Sequence, residues 1–319
     1  MIRLDASQVN SALDYESLID KLQLGFASDN LSVPKRHHHN YPNPPGIEST
    51  LLMMPAWQAG KNVGVKVVNV TPENGKLGLP SIHGIYLFFD AITGVPKALM
   101  DSNMITKKRT AATSALASKF LSRKDSSSML LVGTGALAPE LIAAHCQVRD
   151  IMKVYIWGRN FEKAEKIAND INIDGIELIP IKDLKKGVKE SDIVSTATLS
   201  KDALIKGEWL HDGQHIDLVG SYRPEMREAD DLVIARSSIF IDSYEGAPSE
   251  SGDLALPIAD GLISIQDIKA DLFEMCREEK GGRISDKEIT CFKSVGHALE
   301  DLVAAQLVYD VYEKSVDNE

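Results

Sequence analysis

Cysteine is scarce and unpaired: Cys146, Cys276 and Cys291 are the only three in 319 residues, and no two stand in a CxxC spacing. An odd, widely spaced set speaks against a disulfide framework and reads as packing thiols in a reducing compartment. No stretch approaches the roughly 18 consecutive apolar residues that would mark a membrane-spanning helix. The opening MIRLDASQV lacks the apolar core of a signal peptide, so a cytoplasmic location is expected. Positive charge is in deficit as well, since 35 Lys and Arg against 46 Asp and Glu leave a formal charge of −11. Nucleic acid and membrane surfaces are therefore poor partners for the chain as a whole, and any anionic ligand needs a local basic pocket. Disorder-type composition is missing too: 44% hydrophobic and 25% charged residues describe an ordinary globular protein, long enough for two domains.

What is present is organised around Met129 to His145, MLLVGTGALAPELIAAH. A short apolar run leads into Gly133, Thr134 and Gly135, and a helical pattern starts near Ala138. Strand, glycine turn and helix in that order read as a dinucleotide site, with an ordinary βα turn as the alternative. Gly133 allows the sharp turn, Gly135 allows backbone N–H groups to approach a pyrophosphate, and Ala138, in place of a third glycine, still permits close helix–strand packing. A second strand-like run, Lys153 to Trp157, ends in Gly158, Arg159 and Asn160. Further runs at Ile176–Ile181, Asp192–Thr198, His215–Ser221 and Ser238–Ser243, mostly separated by helical patterns, predict a doubly wound parallel sheet from about Ser126 to Ser243. Thr196, Ala197 and Thr198, and Val219, Gly220 and Ser221, fall at carboxyl edges of strands, where such sheets bind ligands.

Upstream, residues 1–28 read as a short strand and a helix, with Leu13, Leu18, Ile19, Leu22 and Phe26 at helical spacing. The segment VPKRHHHNYPNPPG looks too irregular for either regular element, and of its three adjacent histidines only His37 and His39 would share a side of an extended chain, so no metal site is expected. Residues 50–98 alternate as an antiparallel sheet with one covered face. Lys66, inside the apolar strand GVKVVNV, points either to solvent or into a cleft for an anion or reacting group. ITKKRTAATSALASKFL predicts a helix from about Thr106, which puts Arg109 in its first turn. A cation is unfavourable there unless it meets an anion, which makes Arg109 a candidate to grip a carboxylate. The last helix, about Ser294 to Lys314, packs back on the N-terminal domain or serves a dimer contact.

Taken together, VPKR, GVKVVNV, RTAATSALA, GTGALA, VSTAT, VGSYRPEMREAD and FKSVGHALEDLVAA resemble, in order and over nearly the whole chain, the ornithine cyclodeaminase/mu-crystallin family. The resemblance implies an α/β fold: a Rossmann NAD(P)-binding domain at 123–293, and an α/β substrate and dimerisation domain at 1–122 completed by 294–319, assembled as a homodimer. It implies hydride exchange between nicotinamide and C2 of an amino or imino acid. Arg36 of VPKR and Arg109 look like the carboxylate clamp, and Lys66 like the active-site lysine beside the substrate nitrogen. The cofactor would lie over Gly133, Thr134, Gly135, Ala136 and Leu137, with Gly158, Arg159, Asn160, the strand ends named above and Ser294 completing its site. His297 and His83 stand near the expected cleft, as pocket or packing residues.

Two departures select among family members. Cyclodeaminases and the family's alanine dehydrogenase have an aspartate two residues before the proline of the loop Gly220–Pro224, where this chain has Tyr222. A phenol with an unperturbed pKa of about 10 is a poor base at neutral pH, so deamination is disfavoured and Tyr222 becomes a substrate-binding residue. The second departure is at the end of the second Rossmann strand, where Arg159 stands in place of the acidic residue that binds a ribose 2′-hydroxyl; it can pair with a 2′-phosphate, so NADPH is favoured with NADH as a second donor. A third difference is Leu137, where many members have glutamine. The reading is an NAD(P)H-dependent reductase of a small cyclic imino acid, Δ1-pyrroline-2-carboxylate or its six-membered homologue. Ornithine cyclodeaminase, then alanine dehydrogenase or a non-catalytic binding protein, are the alternatives.

Overall fold

The structure is a computed structural model that describes residues 1–43 and 47–317, the side chains of Ile47 and Asp317 excepted. Pro44, Pro45 and Gly46 of the proline-bearing segment lie outside the described residues. The chain forms two compact units, Met1–Thr110 with Ala298–Glu319, and Ala111–His297.

The first unit opens with β1 (Ile2–Leu4), α1 (Ala6–Ala12) and α2 (Tyr15–Ala27), then runs through β2 (Leu31–Ser32), β3 (His37–Asn43), β4 (Ile47–Gln58), β5 (Asn62–Val70), β6 (Ile82–Asp90) and β7 (Pro96–Asp101). Both early helices start on aspartates, Asp5 and Asp14, whose side chains accept from Gln8 N and Ser17 N. The strands make one sheet, antiparallel from β3 to β7 and parallel between β7 and β1. β3 corrects the sequence reading of an irregular segment: HHHNYPN has little strand propensity of its own, and its extended conformation comes from pairing along β4, His37 opposite Met53 through Asn43 opposite Ile47. His37 and His39 do fall on one side, their rings stacked with centroids 6.2 Å apart, and no group of three metal-ligating side chains occurs among the described residues.

Alternation gives this sheet two different faces. One carries Met54, Ala56, Gly64, Lys66, Tyr86, Phe88, Ala98 and Met100, all buried. The other carries Met53, Val65, Val67, Ile85, Leu87 and Leu99, none of them fully buried. α3 (Ser102–Leu121) follows β7, and the chain's last helix, α11 (Ala298–Asp317), belongs to this unit.

The second unit alternates β8 (Ser128–Val132), α4 (Ala138–Val148), β9 (Lys153–Trp157), α5 (Phe161–Asp170), β10 (Glu177–Ile181), α6 (Leu184–Lys189), β11 (Ile193–Thr196), β12 (His215–Leu218), α7 (Asp231–Arg236), β13 (Ser238–Ile241), α8 (Ala247–Glu250), α9 (Gly252–Ala259), β14 (Ile268–Asp271), α10 (Leu272–Cys276) and β15 (Thr290–Lys293). All eight strands are parallel, in the order β10-β9-β8-β11-β12-β15-β13-β14. The predicted doubly wound sheet is therefore present, with two strands, β14 and β15, beyond the stretch in which it was expected. Strand order reverses between β8 and β11, so a crevice opens at their carboxyl ends. No helix among the described residues is long and apolar enough to cross a membrane.

Candidate active site

Each unit gathers its own set of the expected site residues. In the first, Lys66 leaves β5 on the helix-covered face and is 3% exposed, which answers the question its strand left open. Its Nζ lies 2.9 and 2.7 Å from the two carboxylate oxygens of Asp301 and 3.3 Å from Thr106 Oγ1. Arg109, 6% exposed, donates from Nε to Asp301 Oδ1 at 3.1 Å and from a terminal nitrogen to Glu300 Oε2 at 2.6 Å.

The electrostatic reason first given for Arg109 does not hold. α3 begins at Ser102, where Asp101 accepts from Met104 N, so Arg109 sits about two turns inside the helix and away from its positive end. What holds the cation is the carboxylate pair of α11. Burial lowers the Lys66 ammonium to about 8, against the upward pull of Asp301. Burial also opposes the Arg109 charge, but Asp301 and Glu300 outweigh it and hold the guanidinium above its ordinary range. Asp301, which burial alone would push up, is held below the usual carboxylate range by Arg109 and Lys66.

Glu300 and Asp301 were not singled out in the sequence. They stand in the first turn of α11, where acidic residues are ordinary helix formers; their spacing from Lys66 and Arg109 in the chain leaves no local signal. Tyr86 lies directly opposite Lys66 across the sheet. Its hydroxyl sits where a side chain on Gly64 would begin, a Cβ there falling 2.0 Å from it, so glycine at 64 gives the phenol its place. Arg36 precedes β3 by one residue. Extending the register from His37 opposite Met53 sets it in line with Met54 and Lys66, and it is half-buried. His83 is exposed on β6.

In the second unit, a cavity of about 430 Å³ lies over the glycine turn. It brings together Gly133, Thr134, Gly135, Gly158, Arg159, Asn160, Ala197 and Thr198 of the expected residues, and adds Trp157, Lys163, Leu199, Ser200 and Leu204. Gly133 has φ of 122°, and a Cβ on it would meet Ala197 O at 2.5 Å, so only glycine carries the turn. A Cβ on Gly135 would meet nothing within 4 Å, leaving open space beside the backbone. Leu137, the residue before α4, makes no side-chain cap bond; at the start of that 11-residue helix Ala138 N donates to Gly135 O at 3.1 Å and Pro139 carries no N–H, so the open space beside Gly135, rather than the first helical residues, is what a phosphate could use. The exposed cations Arg159 and Lys163 share the cavity. These features fit a dinucleotide.

Ala136, Leu137, Thr196, Val219, Gly220, Ser221 and Ser294 do not line that cavity, and several have other tasks. Thr196 Oγ1 donates to Asp217 O at 3.4 Å. Ser221 Oγ donates to Met226 O at 2.7 Å and lies 2.8 Å from Ser251 Oγ. Ser294 N donates to Leu218 O. Glu228, buried in the segment RPEMREAD, accepts from Thr198 N, Thr198 Oγ1 and Gly220 N at 2.7, 2.8 and 2.7 Å. It thereby pins two strand-end loops together, and Asp253 holds Glu228 N in turn at 2.7 Å. Burial raises the Glu228 carboxyl, with Lys293 opposing. Tyr222 is 41% exposed, with the Arg223 guanidinium 5.6 Å from its ring centroid. His297 stacks edge-on against Phe273 at 5.4 Å.

Comparison with known proteins bears on both parts. The sequence pattern of the ornithine cyclodeaminase/mu-crystallin family matches residues 2–316. An uncharacterised protein of Schizosaccharomyces pombe is 46% identical over 323 residues, covering 98% of each chain. The Δ1-pyrroline-2-carboxylate reductase of Colwellia psychrerythraea is 37% identical over 318 residues, covering 98% of this chain and 99% of its own. Among solved structures, the Thermococcus litoralis Δ1-pyrroline-2-carboxylate reductase, in complex with NADH and L-proline, superposes with a TM-score of 0.92 at 34% identity over 99% of this chain and 98% of that one. This chain belongs to the ornithine cyclodeaminase/mu-crystallin family.

Proposed function

We propose that this protein is an NAD(P)H-dependent reductase that converts Δ1-pyrroline-2-carboxylate to L-proline, with the six-membered homologue as a second substrate. The observation that carries the reading is the buried pair Lys66 and Arg109, each still charged at neutral pH, beside relatives named for this reaction. A buried ammonium and guanidinium separated by one carboxylate make a clamp for a flat anion. Arg36 adds a third cation from the edge of the same sheet row, and Lys66 also orients the imine nitrogen. Nicotinamide, when bound, supplies the hydride for C2. The chain's own work is to hold the imino acid in one orientation and keep water from it, because a protonated imine already carries the proton that nitrogen needs. Loop position 222 offers a phenol instead of a carboxylate, which leaves no base there for releasing ammonia.

NADPH is preferred and NADH accepted: Arg159 and Lys163 supply positive charge at the end of β9 and in the first turn of α5, and no carboxylate lines the cavity to repel a 2′-phosphate. The protein works as a homodimer in the cytoplasm, a second copy covering the apolar face of the first unit's sheet. Purified protein incubated with Δ1-pyrroline-2-carboxylate and either cofactor tests the reaction. Nicotinamide oxidation with stoichiometric L-proline is expected, and its absence with both cofactors rejects the assignment.

A further inference from the structure

The scheme above uses one acid of α11 only as a spacer between the two cations, although the acid pair makes the shortest contacts in the cluster. We propose that Asp301 is a positioning residue that aligns Lys66 and Arg109 for substrate and keeps the Lys66 ammonium charged, with Glu300 holding the far side of Arg109. The inference rests on the reading of Lys66 and Arg109 as the substrate clamp.

The geometry is specific. Asp301 takes Lys66 Nζ on both oxygens, at 2.9 and 2.7 Å, while its Oδ1 also accepts from Arg109 Nε at 3.1 Å. One carboxylate therefore fixes the separation of the two cations, and Glu300, 2.6 Å from the guanidinium, fixes the rotation of Arg109 about its own chain. All four side chains are nearly or fully buried. Two positive and two negative charges then balance among buried side chains, so the clamp is preassembled before ligand arrives and need not be ordered by it. A buried lysine without such a partner would shed its proton.

Among the described residues, the charged or titratable groups that face Lys66 are Asp301 and Glu300 from α11, Arg109 from α3, and Tyr86 from β6, with the Thr106 hydroxyl of α3 as a neutral neighbour. Of these, Asp301 exerts the largest upward pull on the ammonium, and burial the largest downward one. Removing the charge of Asp301 leaves burial and Arg109 acting together against Glu300, the smallest of the upward pulls. The sign is then fixed: Lys66 loses its proton at lower pH than in the unaltered protein.

The experiment compares the unaltered protein with Asp301→Asn and Asp301→Glu, reading two quantities. The first is the pH dependence of binding of pyrrole-2-carboxylate, a flat ring acid that does not itself titrate near neutrality. The second is the pH titration of the Lys66 ammonium resonance in protein carrying nitrogen-labelled lysine, which needs no activity. Asp301→Asn is expected to move the midpoint of both down by about one pH unit or more and to weaken binding at pH 8 by about tenfold, and Asp301→Glu to bring both back toward the unaltered values. If folded Asp301→Asn protein binds and titrates as before, the proposal is overturned. Should Asp301→Asn not fold, Glu300→Gln decides, since Glu300 holds the far side of Arg109: weakened pyrrole-2-carboxylate binding supports positioning by the acid pair, and unchanged binding overturns it. A protein that fails to reduce the imine but whose Lys66 midpoint still follows residue 301 rejects the reaction and keeps this role.

Discussion

Lys66 is the residue on which the proposed chemistry turns, and its environment predicts a pH profile. Burial brings its ammonium to about 8 from an ordinary 10.5. The group is charged below the folded value and neutral above it, so affinity for an anionic ring ligand is flat below about pH 8 and falls as pH rises through that point. The same shift has a consequence for folding. Between the folded and unfolded values the unfolded chain binds more protons, so this group's contribution makes the protein more stable as pH rises across that window. Lys66→Met, which keeps the length and apolar stem, is expected to abolish the alkaline limb and weaken pyrrole-2-carboxylate binding at neutral pH by about tenfold to a hundredfold. Titration calorimetry from pH 6 to about 10 reads both effects. Much of this was out of reach from the sequence, for a physical reason. In GVKVVNV both neighbours on either side of Lys66 are apolar, so alternation does not tell which face is covered; the answer lies in helices far away in the chain. Glu300 and Asp301 were hidden in the same way, since acids in a first helical turn are already explained by the helix itself.

At the scale of elements, β9 and α5 together carry the proposed preference for NADPH. β9 ends at Trp157, and Gly158 lets Thr134 close over the turn, a Cβ at 158 falling 2.6 Å from Thr134 Cγ2. Arg159 follows, and Asn160 caps α5 by accepting from Lys163 N, which fixes the position of the Lys163 backbone on the helix's first turn. Both cations are exposed, so each alone is worth little, and a doubly charged phosphate bridging them gains from both. Arg159→Asp is expected to raise KM for NADPH about tenfold or more while changing that for NADH little, and Lys163→Glu to do the same to a smaller degree. Steady-state kinetics with both cofactors checks this; equal losses for the two would remove the 2′-phosphate from the account. This turn was legible because all its determinants are local: a glycine forced to φ of 122°, a strand before it and a helix after it. β3 was not, because its residues become a strand only through β4. β15 was missed for a related reason. It is the last strand in the chain yet lies between β12 and β13, and nothing in TCFK announces a position decided by distant partners. Asp101 caps α3 by accepting from Met104 N, a local signal that starts the helix at Ser102 and not near Thr106.

The whole molecule poses a question that its own chain does not answer. An antiparallel sheet that is covered on one side ordinarily turns polar side chains to water on the other. Here the uncovered rows read Met53, Val67 and Ile85, then Pro55, Val65, Leu87 and Leu99, then Trp57, Val63 and Phe89. Ile85 is 44% exposed and Trp57 38%. An apolar surface of this kind is costly in water, and in the proposed homodimer a second copy presenting the same face would cover it with twofold symmetry. Stable dimers bury about 800 Å² on each partner, which a sheet of this size can supply. A carboxylate placed in the middle row would have to be buried unpaired in such a contact. Val65→Asp is therefore expected to yield monomers, seen as a halved mass by sedimentation, while the buried face of the sheet, with Lys66 on it, keeps its packing because residue 65 points the other way. A Val65→Asp protein that sediments as a dimer would mean that the two copies meet elsewhere.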